Sequence, residues 1–588
     1  MLTKEKLISA VKNYYLVIIF SIIVGLLSLS QQFLAISALG KSYNGVPMFN
    51  AANMDFYLTR VRDLMDGHGL VSSAFYFEYK NNFPVIFPTN EHLYALIGRI
   101  IGLSTTEIIL LNQFLFPAFL FLLIYFLVIK LTDGHTTAGR LNAVGTGLLV
   151  IFGYEFTDIK FSWLVLSGQL PYLHGLLWNR PVNPIIGVML LFLLLLILWQ
   201  IVNKKGRYWS LFAGVIIALG VGYYFTLIMS LSIAGVLALI YFLKKEYSIS
   251  FNLFLAIIFS FFFSSPYWYM VIRALVESKG GVVGIFGGVF TRQLVFNKVL
   301  LAGSAIFFFC FIKEYLQQKK IAGKIDSWWF FCLAFFIGGL AAFNIQVITG
   351  INISHPHFVQ FTIPLTLVAL MVLSFNFLRP RFSKIWYVVL IAVFASTLFF
   401  GVQTARSYVL GLSYFSETQK FNEMFKWIDI NTPKDCVIFV AEREDDTISR
   451  LLTGLTHCNI YYISRGASAE ATAERNYHNF LSFLRMNEVQ PAEVENYLKN
   501  HFLLVSLNFF KNWDQLFSPG YQQWMAEPVR RVAEDYPVFF KKDFSTELRR
   551  YKIDYLLSPK ELSESLLKTL PSIKLLHQAG GLHLYRFE

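Results

Sequence analysis

Residues 54–69 carry acids and arginines at a spacing that suits chemistry. Asp55, Arg62 and Asp66 stand at i, i+7 and i+11, which places them on one face of a helix, with Arg60 to the side. A carboxylate can take a proton from a hydroxyl group, and a guanidinium group can hold a phosphate. The same pattern also suits a solvated helix held by ion pairs, so the spacing alone leaves two interpretations open.

Later connections between apolar segments hold the other polar residues with suitable chemistry. They are Lys80, Glu91, His92, Glu155, Asp158, Arg180, Arg273, Lys279, His355 and His357. Glu155 and Asp158 offer only oxygen ligands, which suit Mg²⁺ or Mn²⁺, although two acids near a helix end are as often simply solvated. His355 and His357 form a weak metal pattern and suit either phosphate binding or hydrogen bonding at a membrane surface.

The segments that must position these residues are strongly apolar. Of the 588 residues, 55% are hydrophobic and only 15% are charged, and the mean hydropathy is +0.53. A soluble globular protein carries about 25% charged residues, so this composition argues against a water-soluble enzyme. The aromatic share of 17% favours a polytopic membrane protein, in which aromatic side chains lie in lipid and at its surface.

Eleven apolar ranges are candidates to cross a hydrocarbon core that requires about 20 residues. They are 14–36, 107–129, 141–153, 184–202, 208–221, 225–243, 250–271, 293–312, 327–348, 358–378 and 385–404. The range 141–153 is short, and the stretch 208–243 must form a tight pair of helices. We therefore predict a polytopic α-helical membrane protein with about eleven transmembrane helices.

The net charge of +13 predicts how these helices are oriented. Residues 1–404 hold 28 Lys and Arg against 14 acids, whereas the remainder is close to neutral. The basic clusters fall in short connections, and such clusters mark cytoplasmic loops. The N-terminus is then inside the cell (inner or plasma) membrane, and the outer parts are 40–106, 154–183, 272–292, 349–357 and everything from residue 406 onwards.

This distribution of charge also excludes one class of partner. A nucleic-acid-binding protein would carry its positive patch on a folded, water-exposed domain. Here the basic surplus belongs to the membrane part. We therefore expect membrane lipids as partners and no nucleic acid.

Residues 406–588 alternate helical segments with short strand-like runs, which predicts an extracytoplasmic α/β domain beside a membrane domain of residues 1–405. No glycine-rich phosphate loop follows its first strand, so nucleotide binding is not expected. Cys436 and Cys458 each begin a strand-like run, and a disulfide can form if these runs are neighbours in a sheet. The acidic turn 442–446 is expected to start the next helix, where acids favour the helix dipole.

The first outer loop resembles that of the GT-C glycosyltransferases, in which an acid precedes an arginine on a helix after the first span and a proline-containing stretch and a short helix follow. The matching residues here are Asp55, Tyr57, Arg60 or Arg62, Pro84, Pro88, Leu93 and Tyr94. Protein O-mannosyltransferases, lipid A aminoarabinose transferases and the catalytic subunit of oligosaccharyltransferase share this plan. The resemblance covers the topology of the whole chain but, residue by residue, only about 50–105.

The resemblance implies an enzyme that moves a sugar from a polyprenyl-phosphate donor to a glycan, lipid or protein acceptor of the cell envelope, on the outer side of the membrane. Asp55 would be the base. The cations that could bind the phosphate are Arg60, Arg62, Lys80, Arg180, Arg273 and Lys279, and Glu91, His92, His355 and His357 are further substrate-binding candidates.

The resemblance also implies a divalent metal, because Glu155 and Asp158 stand where the oligosaccharyltransferase subunit has its second acidic element. They would then meet Asp55 and bind Mg²⁺ or Mn²⁺. A site of the aminoarabinose-transferase type need not contain a metal. The outer domain has no Trp-Trp-Asp-Tyr-Gly motif, which argues against peptide N-glycosylation.

Two other functions remain open at this point. A flippase for lipid-linked sugars should show inverted repeats with Gly/Pro-broken spans in matching halves, and no such symmetry is visible in the sequence. A non-catalytic scaffold of envelope assembly would use the C-terminal domain as a binding module.

Overall fold

The computed structural model describes residues 4–48, 54–84, 86–132, 134, 136–169, 175–203, 206–277, 288–320, 325–442, 446–464, 471–510 and 521–588. Helices dominate the first 406 residues. They are α1 (Lys4–Leu39), α2 (Met54–Met65), α3 (Thr89–Ile101), α4 (Thr105–Thr132), α5 (Thr137–Phe152), α6 (Ile159–Leu166), α7 (Ile185–Val202), α8 (Tyr208–Leu219), α9 (Tyr224–Leu243), α10 (Tyr247–Phe263), α11 (Ser265–Glu277), α12 (Lys298–Lys320), α13 (Ser327–Phe343), α14 (Gln346–Thr349), α15 (Val359–Leu373), α16 (Arg379–Arg381) and α17 (Ser383–Arg406). Strands β1 (Gly288–Phe290) and β2 (Ile351–Ile353) pair antiparallel.

The predicted spans correspond to these helices. Within the described residues, eight helical segments are long and apolar enough to cross a membrane, and a ninth arises if α10 and α11, bent by 50°, form one broken span. Two shorter apolar helices, α5 and α8, occupy the remaining predicted ranges. The predicted class, a polytopic helical membrane protein with a smaller C-terminal domain, is therefore confirmed.

The connections predicted to be outside meet at one end of the helix bundle, here called the loop end. Asn90, at the start of α3, donates a hydrogen bond from Nδ2 to Asn183 Oδ1 at 2.7 Å, before α7. The Tyr223 hydroxyl, at the turn between α8 and α9, lies 2.7 Å from His357 Nδ1, just before α15. Gly222, beside Tyr223, lies against Asn90, so these four connections, distant in sequence, are neighbours in space.

The opposite end of the bundle gathers residues from the connections predicted to be cytoplasmic. A cavity of about 420 Å³ there is lined by Lys130 at the end of α4, Glu314 of α12, Asp326 before α13 and Arg381 of α16. Arg381 Nη2 donates to Glu314 Oε2 at 3.1 Å. The two sets of connections thus lie at opposite ends, as the distribution of basic clusters predicts.

The C-terminal residues form a mixed α/β domain. Its helices are α18 (Leu412–Gln419), α19 (Asn422–Asn431), α20 (Thr447–Leu455), α21 (Ala473–Met486), α22 (Val494–Asn500), α23 (Phe502–Phe509), α24 (Tyr521–Phe540), α25 (Phe544–Leu548) and α26 (Glu564–Thr569), and its strands are β3 (Val437–Val440), β4 (Asn459–Ile460), β5 (Tyr555–Ser558), β6 (Ile573–Ala579) and β7 (Leu582–Phe587). The sheet order is β4-β3-β5-β7-β6, with β3 parallel to β4 and β5, and β7 antiparallel to its neighbours. The β6–β7 turn uses Gly580 and Gly581, both at positive φ, as its backbone twist requires.

Parallel pairing of β3 with β4 aligns the residues that precede the two strands. Val437 is in register with Asn459, so Cys436 and Cys458 stand side by side, and they form a disulfide. The strand predicted over 458–463 is shorter, because only Asn459 and Ile460 pair with β3. Cys310 and Cys332, in the membrane helices, are free.

We predict that two of the four cysteines will react with an alkylating reagent before reduction. Protein purified without reductant and unfolded in maleimide should carry two adducts, on Cys310 and Cys332, because the other two sulfurs are bonded to each other. Reduction before alkylation should raise the number to four. Mass spectrometry of the intact protein makes this measurement, and four adducts without reduction would contradict both the disulfide and the oxidising compartment predicted for this domain.

Candidate active site

A fully buried ion pair holds the first outer loop together. Arg60 of α2 donates from Nε to Glu91 Oε1 of α3 at 2.5 Å, and neither side chain is exposed. The other guanidinium nitrogens donate to backbone oxygens, Nη1 to Val71 at 3.0 Å and Nη2 to Ile86 at 2.8 Å. Both residues were predicted to bind substrate. In this structure the two side chains are turned towards each other and away from solvent, so they form a structural pair.

Two further predicted cations are paired with acids at the contact with the C-terminal domain. Arg62 donates from Nη2 to Asp429 Oδ1 at 2.9 Å and from Nε to Asp66 Oδ2 at 2.8 Å. Lys80 pairs with buried Asp63, and its Nζ lies 3.4 Å from Asp435 Oδ1. These cations therefore anchor the first outer loop to the domain.

The surroundings shift the pKa values of two acids at this contact, Asp63 and Asp429. Burial raises the pKa of Asp63, and the charge of Lys80 offsets only part of the rise. Burial would also raise the pKa of Asp429, but the hydrogen bond with His457 and the charge of Arg62 bring it below its usual value. Asp429 is therefore a firmly ionised partner for Arg62 at neutral pH.

Asp55, the predicted base, lies at the start of α2 and faces the C-terminal domain. Its Oδ2 is 3.5 Å from Nε of Arg450 in α20, and its side chain is 15% exposed. Tyr57 follows two residues later, so it points to a different side of the helix, towards the membrane domain. The first turn of α2 thus presents a carboxylate on one side and a phenol on the other.

A cluster of aromatic and basic side chains, here called the Arg180 cluster, occupies the loop end beside Tyr57. It comprises Tyr57, Tyr154, Arg180, Tyr223 and His357. The Arg180 guanidinium lies 5.3 Å from the centre of the Tyr57 ring and within electrostatic reach of Tyr223 and His357. Tyr154 packs edge-on against Trp178, two residues before Arg180. Hydroxyl groups, an imidazole and a cation from four separate parts of the chain therefore converge here.

Arg180 differs from the predicted cations of the first outer loop because it has no acidic partner. Within the residues that the structure describes, no carboxylate oxygen lies within 4.0 Å of its guanidinium, and its buried Nε has no hydrogen-bond partner. A buried donor without a partner is rare in a folded protein, and a bound ligand can satisfy such a group. The cluster can therefore hold an anion.

Glu155 and Asp158 lie beside this cluster but do not join Asp55. The Asp158 carboxylate caps α6, where it accepts hydrogen bonds from the backbone of Lys160 and Phe161 at 2.9 and 3.1 Å. Burial, followed by the charge of Asp158, raises the pKa of Glu155 to about 7. Glu155 can consequently exchange a proton near neutral pH.

The three predicted metal ligands do not form one set. Among the described residues, the only group of three potential ligands that lie within 4.8 Å of one another is Cys436, His457 and Cys458. The two sulfurs of that group are bonded to each other, so neither is available as a thiolate ligand. Asp55, Glu155 and Asp158 therefore do not fit a shared metal in this arrangement, and no step of the proposed reaction uses one.

The remaining predicted residues are dispersed around the loop end. His92 Nε2 lies 3.0 Å from the backbone oxygen of Gly69, and Arg273 is exposed with its guanidinium 6.0 Å from the Phe83 ring centre. His355 Nδ1 lies 3.1 Å from Asn352 Nδ2, and only its neighbour His357 reaches the Arg180 cluster. Lys279 is outside the described residues.

Sequence reasoning missed three residues that the structure brings to these sites: Tyr154, Tyr223 and Arg450. Tyr154 and Tyr223 each stand at the predicted outer end of an apolar range, where a tyrosine is also common as a membrane-surface residue. Arg450 lies inside a helix of the C-terminal domain, and nothing in its local sequence relates it to Asp55.

We predict that Glu91→Gln will destabilise the protein by about 3–5 kcal/mol, because it leaves the Arg60 guanidinium buried without its carboxylate. Thermal unfolding in detergent, together with limited proteolysis of residues 66–88, measures the loss. Glu534→Gln is the matched control, since Glu534 pairs with Arg530 on the surface and such pairs contribute about 0.2–1 kcal/mol. Equal, small effects of the two changes would contradict the structural role of the buried pair.

We also predict that Glu155 makes stability depend on pH. The pKa of Glu155 is higher in the folded protein than its ordinary value of 4.5. The contribution of the protonated carboxyl to the free energy of unfolding is therefore complete below about pH 4.5 and is lost as the pH rises through 7. Glu155→Gln removes this loss, so its Tm relative to the wild type should rise by about 1–2 °C between pH 5 and pH 8.

Glu488→Gln is the control for that measurement. Hydrogen bonds from Ser563 and Ser565 lower the pKa of Glu488, so this carboxylate stays ionised from pH 5 to pH 8. Its Tm difference from the wild type should be the same at both pH values. A constant difference for Glu155→Gln as well would show that the Glu155 carboxyl does not titrate in this range.

Comparison with known proteins finds similarity in structure only. No protein-family model matches the sequence, and no curated protein matches it either. The chain is similar to the archaeal oligosaccharyltransferase AglB from Archaeoglobus fulgidus, solved with an inhibitory peptide and a dolichol-phosphate, at 12% identity over 93% of this chain and 70% of that chain (TM-score 0.46). An A. fulgidus oligosaccharyltransferase, solved in complex with Zn and sulfate, matches at 13% identity over 92% of this chain and 67% of that chain (TM-score 0.44).

ArnT from Cupriavidus metallidurans in its apo state matches at 13% identity over 94% of this chain and 96% of that chain (TM-score 0.42). At identities of 12–13% and TM-scores of 0.42–0.46 these similarities carry no argument about activity, which has to be argued from the residues of this chain.

Proposed function

We propose that this chain is an integral-membrane glycosyltransferase that moves a sugar from a polyprenyl-phosphate donor to a hydroxyl group of a cell-envelope acceptor. The reaction takes place at the loop end, between the membrane domain of residues 1–405 and the C-terminal domain of residues 406–588. The N-terminus is cytoplasmic and the C-terminal domain extracytoplasmic, because the basic clusters lie at the other end of the bundle.

The observation that carries this proposal is the unpaired Arg180 in its cluster of hydroxyl groups. Transfer of a sugar releases the carrier phosphate, on which negative charge develops as the bond to the sugar breaks. A guanidinium group binds two phosphate oxygens at once, and tyrosine hydroxyls can donate to the others. The position of Arg180 at the mouth of an apolar helix bundle suits a phosphate that is attached to a lipid chain.

The reaction needs a second group to accept a proton. The acceptor oxygen attacks the anomeric carbon, the bond from this carbon to the phosphate oxygen breaks, and its electron pair leaves with the phosphate. The acceptor proton passes to a carboxylate. We assign this role to Asp55, which shares the first turn of α2 with Tyr57 of the Arg180 cluster, so that base and phosphate site flank one helix turn.

Arg180→Gln tests the phosphate site directly. We expect it to weaken binding of farnesyl phosphate, a short polyprenyl phosphate, by about 10- to 100-fold, which corresponds to loss of one or two charge-assisted hydrogen bonds. Titration of purified protein in detergent, followed by tryptophan fluorescence, measures the affinity, since Trp178 lies close to the site.

Two comparisons make this experiment specific. Arg530→Gln removes an exposed arginine of the C-terminal domain and should bind farnesyl phosphate like the wild type. Farnesol, which has the same chain without the phosphate, should bind the wild type and Arg180→Gln equally. If Arg180→Gln binds farnesyl phosphate as tightly as the wild type does, Arg180 is not the phosphate ligand and the proposed site is wrong.

A further inference from the structure

Helices α2 and α20 lie side by side where the first outer loop meets the C-terminal domain. The hydroxyls of Thr59 and Thr453 are 2.8 Å apart across this contact. The helices approach so closely that a Cβ on Gly454 would lie 2.3 Å from Cδ2 of Leu58. Any larger residue at position 454 would force the Leu58 side chain to move, so the two helices are in close contact here.

This close contact brings Arg450 to Asp55. Their nearest atoms, Arg450 Nε and Asp55 Oδ2, are 3.5 Å apart, and the side chains are 21% and 15% exposed. At such low exposure the attraction between the charges is screened much less than on an open surface. The C-terminal domain thus supplies the cation that faces the carboxylate assigned as the base.

Arg450 is itself held in place at the start of α20. Its Nε also donates to the backbone oxygen of Asp446 at 3.3 Å, and the Glu442 carboxylate accepts hydrogen bonds from the backbone of Ile448 and Ser449 at 2.8 and 2.7 Å. Glu442 and Asp446, the described residues of the acidic turn, therefore lie at the start of this helix, as predicted from the sequence. Burial would lower the pKa of Arg450, but the charge of Asp55, with those of Tyr414, Asp446 and Glu442, raises it.

We propose that Arg450 is a positioning residue for the transfer reaction: it fixes the Asp55 carboxylate, so that the active site is complete only when the C-terminal domain is docked on α2. This inference rests on the proposed function. A carboxylate at the first turn of a helix is otherwise free to choose among several rotamers, and misplacement of a base by about 1 Å can cost about 100-fold in rate. The C-terminal domain then contributes to catalysis through this positioning residue.

The test measures hydrolysis of a panel of farnesyl-phosphate-linked monosaccharides by purified protein in lipid vesicles, with release of farnesyl phosphate as the readout. Water takes the place of the acceptor: its oxygen bonds to the anomeric carbon, its proton passes to the base, and the bond to the phosphate oxygen breaks. We expect Arg450→Gln to lower kcat by about 10- to 100-fold and to change KM for the donor by less than about 2-fold, since phosphate binding is left to Arg180. Arg450→Lys keeps the charge and should recover part of kcat.

A double-mutant cycle separates positioning from a general structural loss. If Arg450 acts through Asp55, Arg450→Gln should have no further effect on the residual rate of Asp55→Asn. If the two losses multiply, Arg450 acts independently of Asp55 and the inference is overturned. Equal kcat for wild type and Arg450→Gln also overturns it but leaves the proposed function standing. Absence of turnover by the wild type with every donor of the panel would overturn the proposed function and this inference together.

A second variant alters the docking without touching a charge. Gly454→Val places a branched side chain against Leu58 and should move α20 away from α2, with the same selective loss of kcat as Arg450→Gln. Gly235→Val is the control, because a Cβ at this helical glycine of α9 meets nothing within 4 Å, and it should turn over donor like the wild type. Wild-type kcat for Gly454→Val would show that the spacing of the two helices does not matter for the reaction.

Discussion

The buried Arg60–Glu91 ion pair is the interaction on which the arrangement of the loop end depends. It joins α2 to α3, and the same guanidinium holds the intervening chain through the backbone oxygens of Val71 and Ile86. Two charges without exposure are stable only when each has its partner, so the loop cannot rearrange without leaving a buried charge unpaired. The first turn of α2, with Asp55 and Tyr57, is thereby given a fixed position.

The other charges of this loop attach it to the C-terminal domain. Arg62 reaches Asp429, Lys80 reaches Asp435, and Glu78 lies 3.5 Å from the buried Arg475, whose guanidinium is also surrounded by three tyrosine rings. Since these groups neutralise one another across the contact, they are not available to a substrate. This explains why Arg180, which has no such partner among the described residues, stands out as the proposed phosphate ligand. The proposed base, Asp55, meets a cation of the C-terminal domain.

Much of the fold could be predicted, and the site only in part, for a physical reason. In lipid, each span must satisfy its backbone hydrogen bonds within its own helix, so a continuous apolar run in the sequence predicts it. All eleven predicted ranges correspond to helices in the structure. Arg180 was a candidate because it stands at the outer end of such a run. What distinguishes Arg180 from Arg60 and Lys80, however, is whether an acid lies opposite each cation, and only the folded chain decides that.

The sequence by itself therefore determined the membrane class and the α/β domain. It also determined which connections lie at the same end of the helix bundle and which residue types could do chemistry. Only the tertiary structure decided which of them remain available, because a charge pairs with whatever folding brings within a few ångströms. In the fold, Arg60 and Glu91 form a buried structural pair, and Glu155 and Asp158 do not group with Asp55. Arg450 lies beside Asp55 because α20 packs closely against α2 at Gly454.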